Sequence, residues 1–206
     1  MSESSRARRL GVMGGTFNPI HTGHMVAADE ARATFALDEV VFVPAGRPWQ
    51  KAGEDVAPAE DRYLMTVIAT SSHPAFTVSR IELDRDGATY TIDTLRALRE
   101  QRPNDELFFI TGADAVLQIL TWKDPESILA DARFIAATRP GYDLERLEKE
   151  LPHGLEDRVS IMEIPALAIS STDVRRRVRE GRPIRYLVPE GVAAYIDKQR
   201  LYREAS

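Results

Sequence analysis

Short runs of β-branched and aromatic residues recur along this chain between longer segments of helical spacing, with Gly, Pro and Asp at the joins. The runs Leu10–Met13, Val40–Val43, Phe76–Ser79, Leu107–Thr111, Phe134–Ala137 and Val159–Glu163 predict strands. Gly23–Phe35, Asp61–Ser71, Ile92–Arg102, Ala113–Leu120, Leu144–Leu151, Thr172–Glu180 and Glu190–Lys198 predict helices. This alternation points to an α/β fold: a doubly wound, mainly parallel sheet with helices on both faces. A small C-terminal helical portion over 170–206 completes one domain spanning 1–206, with 1–8 expected as a disordered tail. Ligands of such sheets sit beyond the carboxyl ends of the strands, where the strand order switches, so the loops after strands carry the functional expectation.

Composition narrows the chemistry. Cysteine is absent from the 206 residues, which excludes disulfide frameworks, Cys-ligated zinc, iron–sulfur clusters and a thiolate nucleophile. With 32 acidic and 27 basic side chains the formal charge is −5, against sequence-independent binding to a nucleic-acid polymer but compatible with a locally cationic site for a small anion. No stretch reaches the roughly 20 apolar residues of a membrane helix. Met1–Arg9 lacks the apolar centre of an export signal, so a cytoplasmic protein with no membrane partner is expected. A homo-oligomer is compatible with this composition.

Directly after the first predicted strand comes Gly14-Gly15-Thr16-Phe17-Asn18-Pro19-Ile20-His21-Thr22-Gly23-His24, followed by an amphipathic helix. Adjacent glycines permit torsions and close approach that a Cβ forbids, and their amides with the Thr16 hydroxyl suit an anion-binding concavity. The free N–H groups and positive dipole end of the next helix face the same place. His21 and His24, three residues apart, project from one side of its first turn. Taken singly, Gly-Gly is an ordinary turn and a histidine an ordinary packed side chain. Together, straight after the first strand, they are far more specific.

His21-Thr22-Gly23-His24 is the H-x-G-H signature of the nucleotidylyltransferase superfamily, and the longer run resembles bacterial nicotinate-nucleotide adenylyltransferases, whose fold is Rossmann-like. The resemblance implies that His21 and His24 contact the phosphates of ATP while Gly14, Gly15, Thr16 and Phe17 line the nucleotide site. Asn18 stands where many such proteins carry Asp. Towards the C-terminus, Ser170 and Asp173 of Ile169-Ser170-Ser171-Thr172-Asp173-Val174-Arg175 read locally as a helix capping box. That leaves Ser171, Thr172 and Arg175 over, and the resemblance makes them a second grip on the phosphates. Lys51, in the loop after the second strand, reaches phosphate in the family; here Gln50 takes the place of a frequent histidine.

Thr89-Tyr90-Thr91-Ile92-Asp93-Thr94-Leu95 reads locally as a threonine-capped helix start. It resembles the family's T-Y-T-x-D-T-L motif, which implies that Thr89 and Thr91 approach the pyridine carboxylate and that Trp122 stacks on the pyridine ring. Thr111 and Asp114 read as another capping box, while the resemblance implies contacts from Gly112 and Asp114 to the ATP ribose or adenine and a part for Arg139 in lining the site.

The activity implied is adenylyl transfer from ATP to nicotinate mononucleotide, giving deamido-NAD and pyrophosphate in NAD biosynthesis, with Mg²⁺ arriving on the triphosphate rather than in a protein metal site. His21, His24, Lys51 and Arg175 are the expected catalytic donors. Another small-molecule nucleotidylyltransferase, such as a pantetheine-phosphate adenylyltransferase, would lack the Thr89–Leu95 and Trp122 features. A class I aminoacyl-tRNA synthetase fragment would carry a K-M-S-K-S run, absent here. A non-catalytic ATP sensor would bind ATP without releasing pyrophosphate.

Overall fold

The computed structural model describes residues 6–48, 56–138, 141, 157–165 and 167–203. The strands are β1 (Arg9–Gly15), β2 (Glu39–Pro44), β3 (Phe76–Val78), β4 (Glu106–Gly112), β5 (Arg133–Thr138) and β6 (Val159–Glu163). The helices are α1 (Thr22–Thr34), α2 (Ala59–Thr70), α3 (Thr91–Gln101), α4 (Ala113–Leu117), α5 (Pro125–Asp131), α6 (Ser171–Arg179) and α7 (Glu190–Gln199). Lys51, Gln50, Arg139 and the predicted helix Leu144–Leu151 lie outside the described residues.

All six strands pair in parallel, in the order β3-β2-β1-β4-β5-β6. The chain lays down β1, β2 and β3 outward, then returns to place β4 against the free side of β1. Val12 accordingly sits between Val41 and Phe109 in register. The order therefore reverses between β1 and β4, the crevice that such sheets offer to a ligand.

Successive strand residues point to opposite faces, and both faces are covered, so the strands read as near-continuous apolar runs. Met13, Val40, Phe42, Phe108 and Ile110 meet Ala28 and Ala31 of α1, Met65 of α2, Val174 of α6 and Val192 of α7. Leu10, Val12, Val41, Leu107 and Phe109 meet Ile92 and Leu95 of α3, Val116 of α4 and Ile128 of α5. Each such buried side chain contributes about 1.5–3 kcal/mol relative to exposure. The C-terminal helices share a core with α1 and α2.

Several local expectations need correcting. Arg6 and Arg8, within the expected tail, are tied down: Arg6 Nη2 donates to Asp38 Oδ1 at 2.6 Å, and the Arg8 carbonyl accepts the Glu106 N–H at 2.8 Å, continuing the central β1–β4 ladder. The predicted helix Ala113–Leu120 stops at Leu117 and tightens into a 3-10 turn, Ile119–Thr121, that brings Ile119 into the core. Helix α5 went unpredicted, although Asp124 accepting the Ser127 N–H and Pro125 in the first turn are the usual signals of a helix start. Ser170 does cap α6, its Oγ accepting the Asp173 N–H at 3.1 Å. The other two expected caps are absent: Tyr90 and Gly112 precede α3 and α4, and neither helix has a side-chain cap bond. Both helices point uncapped first turns toward the carboxyl side of the sheet.

Candidate active site

β1 delivers Gly14 and Gly15 to the switch point. A Cβ on Gly14 would lie 3.2 Å from the Phe109 ring of β4, so the glycine lets the two strand ends close on each other. The backbone then turns through Phe17, whose φ of 48° is left-handed and whose ring is buried at 3% exposure. That ring meets His24 edge-on at 5.2 Å and Phe42 at 5.9 Å. Phe17 is thus a buried support for His24, where the sequence reading had it lining the nucleotide site.

α1 begins with His21 as its N-cap in an extended conformation. The His21 and His24 rings stack with centroids 3.7 Å apart. The His21 backbone N–H donates to His24 Nδ1 at 3.1 Å. Burial, followed by the neighbouring His21, holds the His24 imidazole well below the ordinary histidine value. The ring is therefore neutral at neutral pH, and with Nδ1 accepting, its proton sits on Nε2 as a donor.

The C-terminal motif converges on this loop. Ser171 Oγ donates to the Pro19 carbonyl at 2.9 Å, and Arg175 Nη1 donates to the Asn18 carbonyl at 2.8 Å. Tyr202 donates its hydroxyl hydrogen to Asn18 Oδ1 at 2.9 Å, and Thr22 N–H reaches the Leu187 carbonyl at 2.9 Å. The Asn18 side chain, 1% exposed, also accepts the Ala57 N–H at 3.0 Å. It is a structural tie between three segments, a duty the sequence did not reveal.

The resulting groove has two halves. One is lined by His21, Gly23, His24, Gly112, Ser170 and Ser171. The other is lined by Gly15, Thr16, Thr89, Thr91, Trp122 and Lys123. Among their lining residues the halves share Gly14 and Thr111, the ends of β1 and β4. Gly15 and Thr16 thus lie on the side of Trp122, away from the histidines. Trp122 is braced by Phe109, ring centroids 6.1 Å apart. Lys123, which the sequence reading passed over, places Nζ 3.1 Å from Asp93 Oδ2 and 4.5 Å above the Tyr90 ring.

Three expected contacts are placed otherwise. Arg175 is buried at 8% exposure and bonded to the Asn18 carbonyl, so it fastens α6 to the phosphate-side loop instead of lining the groove. Thr172 and Asp114 are exposed and line neither half. Thr172, about 100° round α6 from Ser171, turns away from the groove, while Arg175, one turn on and on the same face as Ser171, is drawn beneath it by its bond to Asn18.

Residues 12–177 match the family model described as cytidylyltransferase-like. A protein of Leifsonia xyli named "Probable nicotinate-nucleotide adenylyltransferase" is 61% identical over 206 residues, covering 100% of this chain and 99% of that one. One of the same name from Mycolicibacterium vanbaalenii is 60% identical over 203 residues, covering 96% of this chain and 94% of that one. This chain belongs to the nicotinate-nucleotide adenylyltransferase family. Its fold is shared with Plasmodium falciparum nicotinic acid mononucleotide adenylyltransferase, solved in complex with NaAD, at a TM-score of 0.78 and 22% identity, covering 95% of this chain and 97% of that one. Within this adenylyltransferase family member, Arg62 and Glu82 are the buried charges nearest the groove that sequence reading missed. A signal for Arg62 existed: it occupies the same stripe of α2 as Met65, Thr66 and Ala69, where an apolar residue is the norm.

Proposed function

We infer that the chain transfers the adenylyl group of ATP to nicotinate mononucleotide, releasing pyrophosphate and forming deamido-NAD, a step of NAD biosynthesis. The observation that carries this reading is the two-halved groove, which joins at Gly14 and Thr111. On this reading a triphosphate against His21, His24 and the α1 and α6 N-termini would meet a pyridine nucleotide against Trp122, Thr89 and Thr91 at those two residues, with the α-phosphorus at the switch point.

The acceptor phosphate is already an anionic nucleophile, so the protein supplies alignment and charge stabilisation. In-line attack moves negative charge onto the equatorial oxygens and the departing pyrophosphate. The neutral His24 donates through Nε2, and the helix N-termini and His21 add donors at the same side. Ser171 and Arg175 position this cradle through Pro19 and Asn18. Lys51 is proposed as a further phosphate cation, Arg139 as lining the nucleotide or acceptor site, and Gly112, at the open end of β4, as a backbone contact for the nucleotide.

Among the described residues no three His, Asp or Glu converge to hold a metal ion. The donor set suits a Mg²⁺ ligated by water and substrate phosphates, which would neutralise charge on the triphosphate. No helix of the described residues is long and apolar enough to cross a membrane, and we place the reaction in the cytoplasm with its two soluble nucleotide substrates.

Pyrophosphate release from ATP with a panel of acceptors tests the reading. Nicotinate mononucleotide should support turnover and 4′-phosphopantetheine should not. Turnover with pantetheine phosphate alone, or ATP binding without pyrophosphate from any acceptor, would reject it.

A further inference from the structure

Arg62 is 1% exposed, and each of its hydrogen bonds goes to a loop carbonyl: Nη1 to Thr16 at 2.8 Å, Nη2 to Gly46 at 3.1 Å and Nε to Ala57 at 3.0 Å. Thr16 follows β1 and Gly46 follows β2, so a single guanidinium spans the two strand ends flanking the acceptor half. Glu82, 8% exposed, works from the other side. Its carboxylate accepts the hydroxyl of Thr94 at 2.6 Å, and its backbone carbonyl packs against Gly46. Gly46 lies between the two residues, its carbonyl taken by Arg62 and its Cα packed against the Glu82 backbone. A Cβ at Gly46 would collide with the Glu82 carbonyl, so no other residue fits there. Thr16, Ala45, Pro48, Glu82, Thr89 and Thr94 all line the Trp122 half of the groove, and none lines the histidine half.

We propose that Arg62 and Glu82 are positioning residues for the acceptor nucleotide, Arg62 tying the Thr16 and Gly46 carbonyls together and Glu82 holding the Thr94 hydroxyl of α3 while its backbone packs on Gly46, and so fixing the spacing of the Thr16, Ala45–Pro48 and Thr89 walls. The proposal rests on the assignment of the Trp122 half to the pyridine nucleotide. Filling the space under these loops does not require two buried charges, since apolar side chains of equal volume serve packing as well. What the charges add is direction: a rigid fork and a carboxylate aim at named carbonyls and a hydroxyl.

Two readouts test this, on Glu82→Gln and on Arg62→Lys, which retains the charge but loses the fork. In steady-state kinetics each variant should raise KM for nicotinate mononucleotide by about tenfold while KM for ATP stays within about twofold. An equal rise in both constants, or a lowered melting temperature with both constants unchanged, would reduce the pair to structural roles and overturn the proposal. Independently of activity, hydrogen exchange at the Ala45 amide, which donates to the Gly15 carbonyl at 2.8 Å beside the two carbonyls that Arg62 holds, should be slow in the natural protein and at least about tenfold faster in Arg62→Lys. Equal exchange in the two overturns the clamp even if both turn over. Clamp-dependent exchange in a protein with no turnover on any pyridine nucleotide would instead refute the acceptor assignment, and the positioning role with it.

Discussion

The His21 backbone N–H donates to His24 Nδ1 at 3.1 Å, and this one bond sets the tautomer of the histidine at the mouth of α1. It explains why the histidines sit three apart at a helix start: the N-cap amide, otherwise seeking a partner, locks the ring of the third helical residue. The ring's remaining nitrogen is left as a donor toward the groove. His24→Ala should therefore lower kcat by about a hundred- to a thousandfold, the usual cost of losing one aligned donor. Steady-state pyrophosphate release, with far-ultraviolet circular dichroism to verify folding, checks this.

The same ring makes stability depend on pH. Its folded pKa is depressed below the ordinary 6.5 by burial and then by His21, so between the two values the unfolded chain binds the extra proton. The stabilisation is complete above about pH 6.5 and is lost as pH falls below it. Urea midpoints taken at descending pH should drop in the natural protein and drop less steeply in His24→Asn, whose amide does not titrate.

Gly23 separates the histidines for a reason of space. A Cβ there would stand 3.1 Å from Cε1 and Nδ1 of His21. Gly23→Ala should displace that imidazole and reduce kcat by about a hundredfold, as small misplacements of aligned groups do. Alanine is the better helix former by about 0.8–1 kcal/mol, so melting should not fall in step with activity.

Ser170 caps α6 through the Asp173 N–H. Ser170→Ala should cost about 1 kcal/mol, seen as a fall of roughly 2–4 °C in melting temperature for a chain of this size.

How much of this was legible in the sequence follows from what each feature depends on. The strands were readable because parallel strands covered on both faces are apolar throughout; β6 was predicted with its observed bounds, and β1, β2 and β4 within two residues at either end. His21, His24, Ser171 and Trp122 were readable because each belongs to a compact motif. The duties of Phe17 and Arg175 were not, because they depend on a left-handed turn at Phe17 and on a bond from Arg175 to the carbonyl of Asn18, far away in sequence. Asn18, Arg62 and Glu82 escaped notice for a related reason: their partners lie in other segments of the chain, and no local pattern encodes those pairings. The two missing caps, at Tyr90 and Gly112, show the reverse error, in which polar residues suited to capping face the groove's neighbourhood instead.

Trp122 gives a further expectation. Its indole lines the acceptor half and is braced by Phe109, so Trp122→Ala should raise KM for nicotinate mononucleotide by roughly tenfold, in keeping with a lost stacking contact of about 1–3 kcal/mol. KM for ATP should stay unchanged. Initial rates with each substrate varied in turn decide it.

The most direct test follows the adenylyl group itself. The chain, given ATP labelled at the α-phosphorus with ³²P together with nicotinate mononucleotide and Mg²⁺, should place the label in deamido-NAD and release unlabelled pyrophosphate. Label remaining in ATP, or appearing in free phosphate with no dinucleotide formed, would contradict a groove built to join the two nucleotides at the ends of β1 and β4.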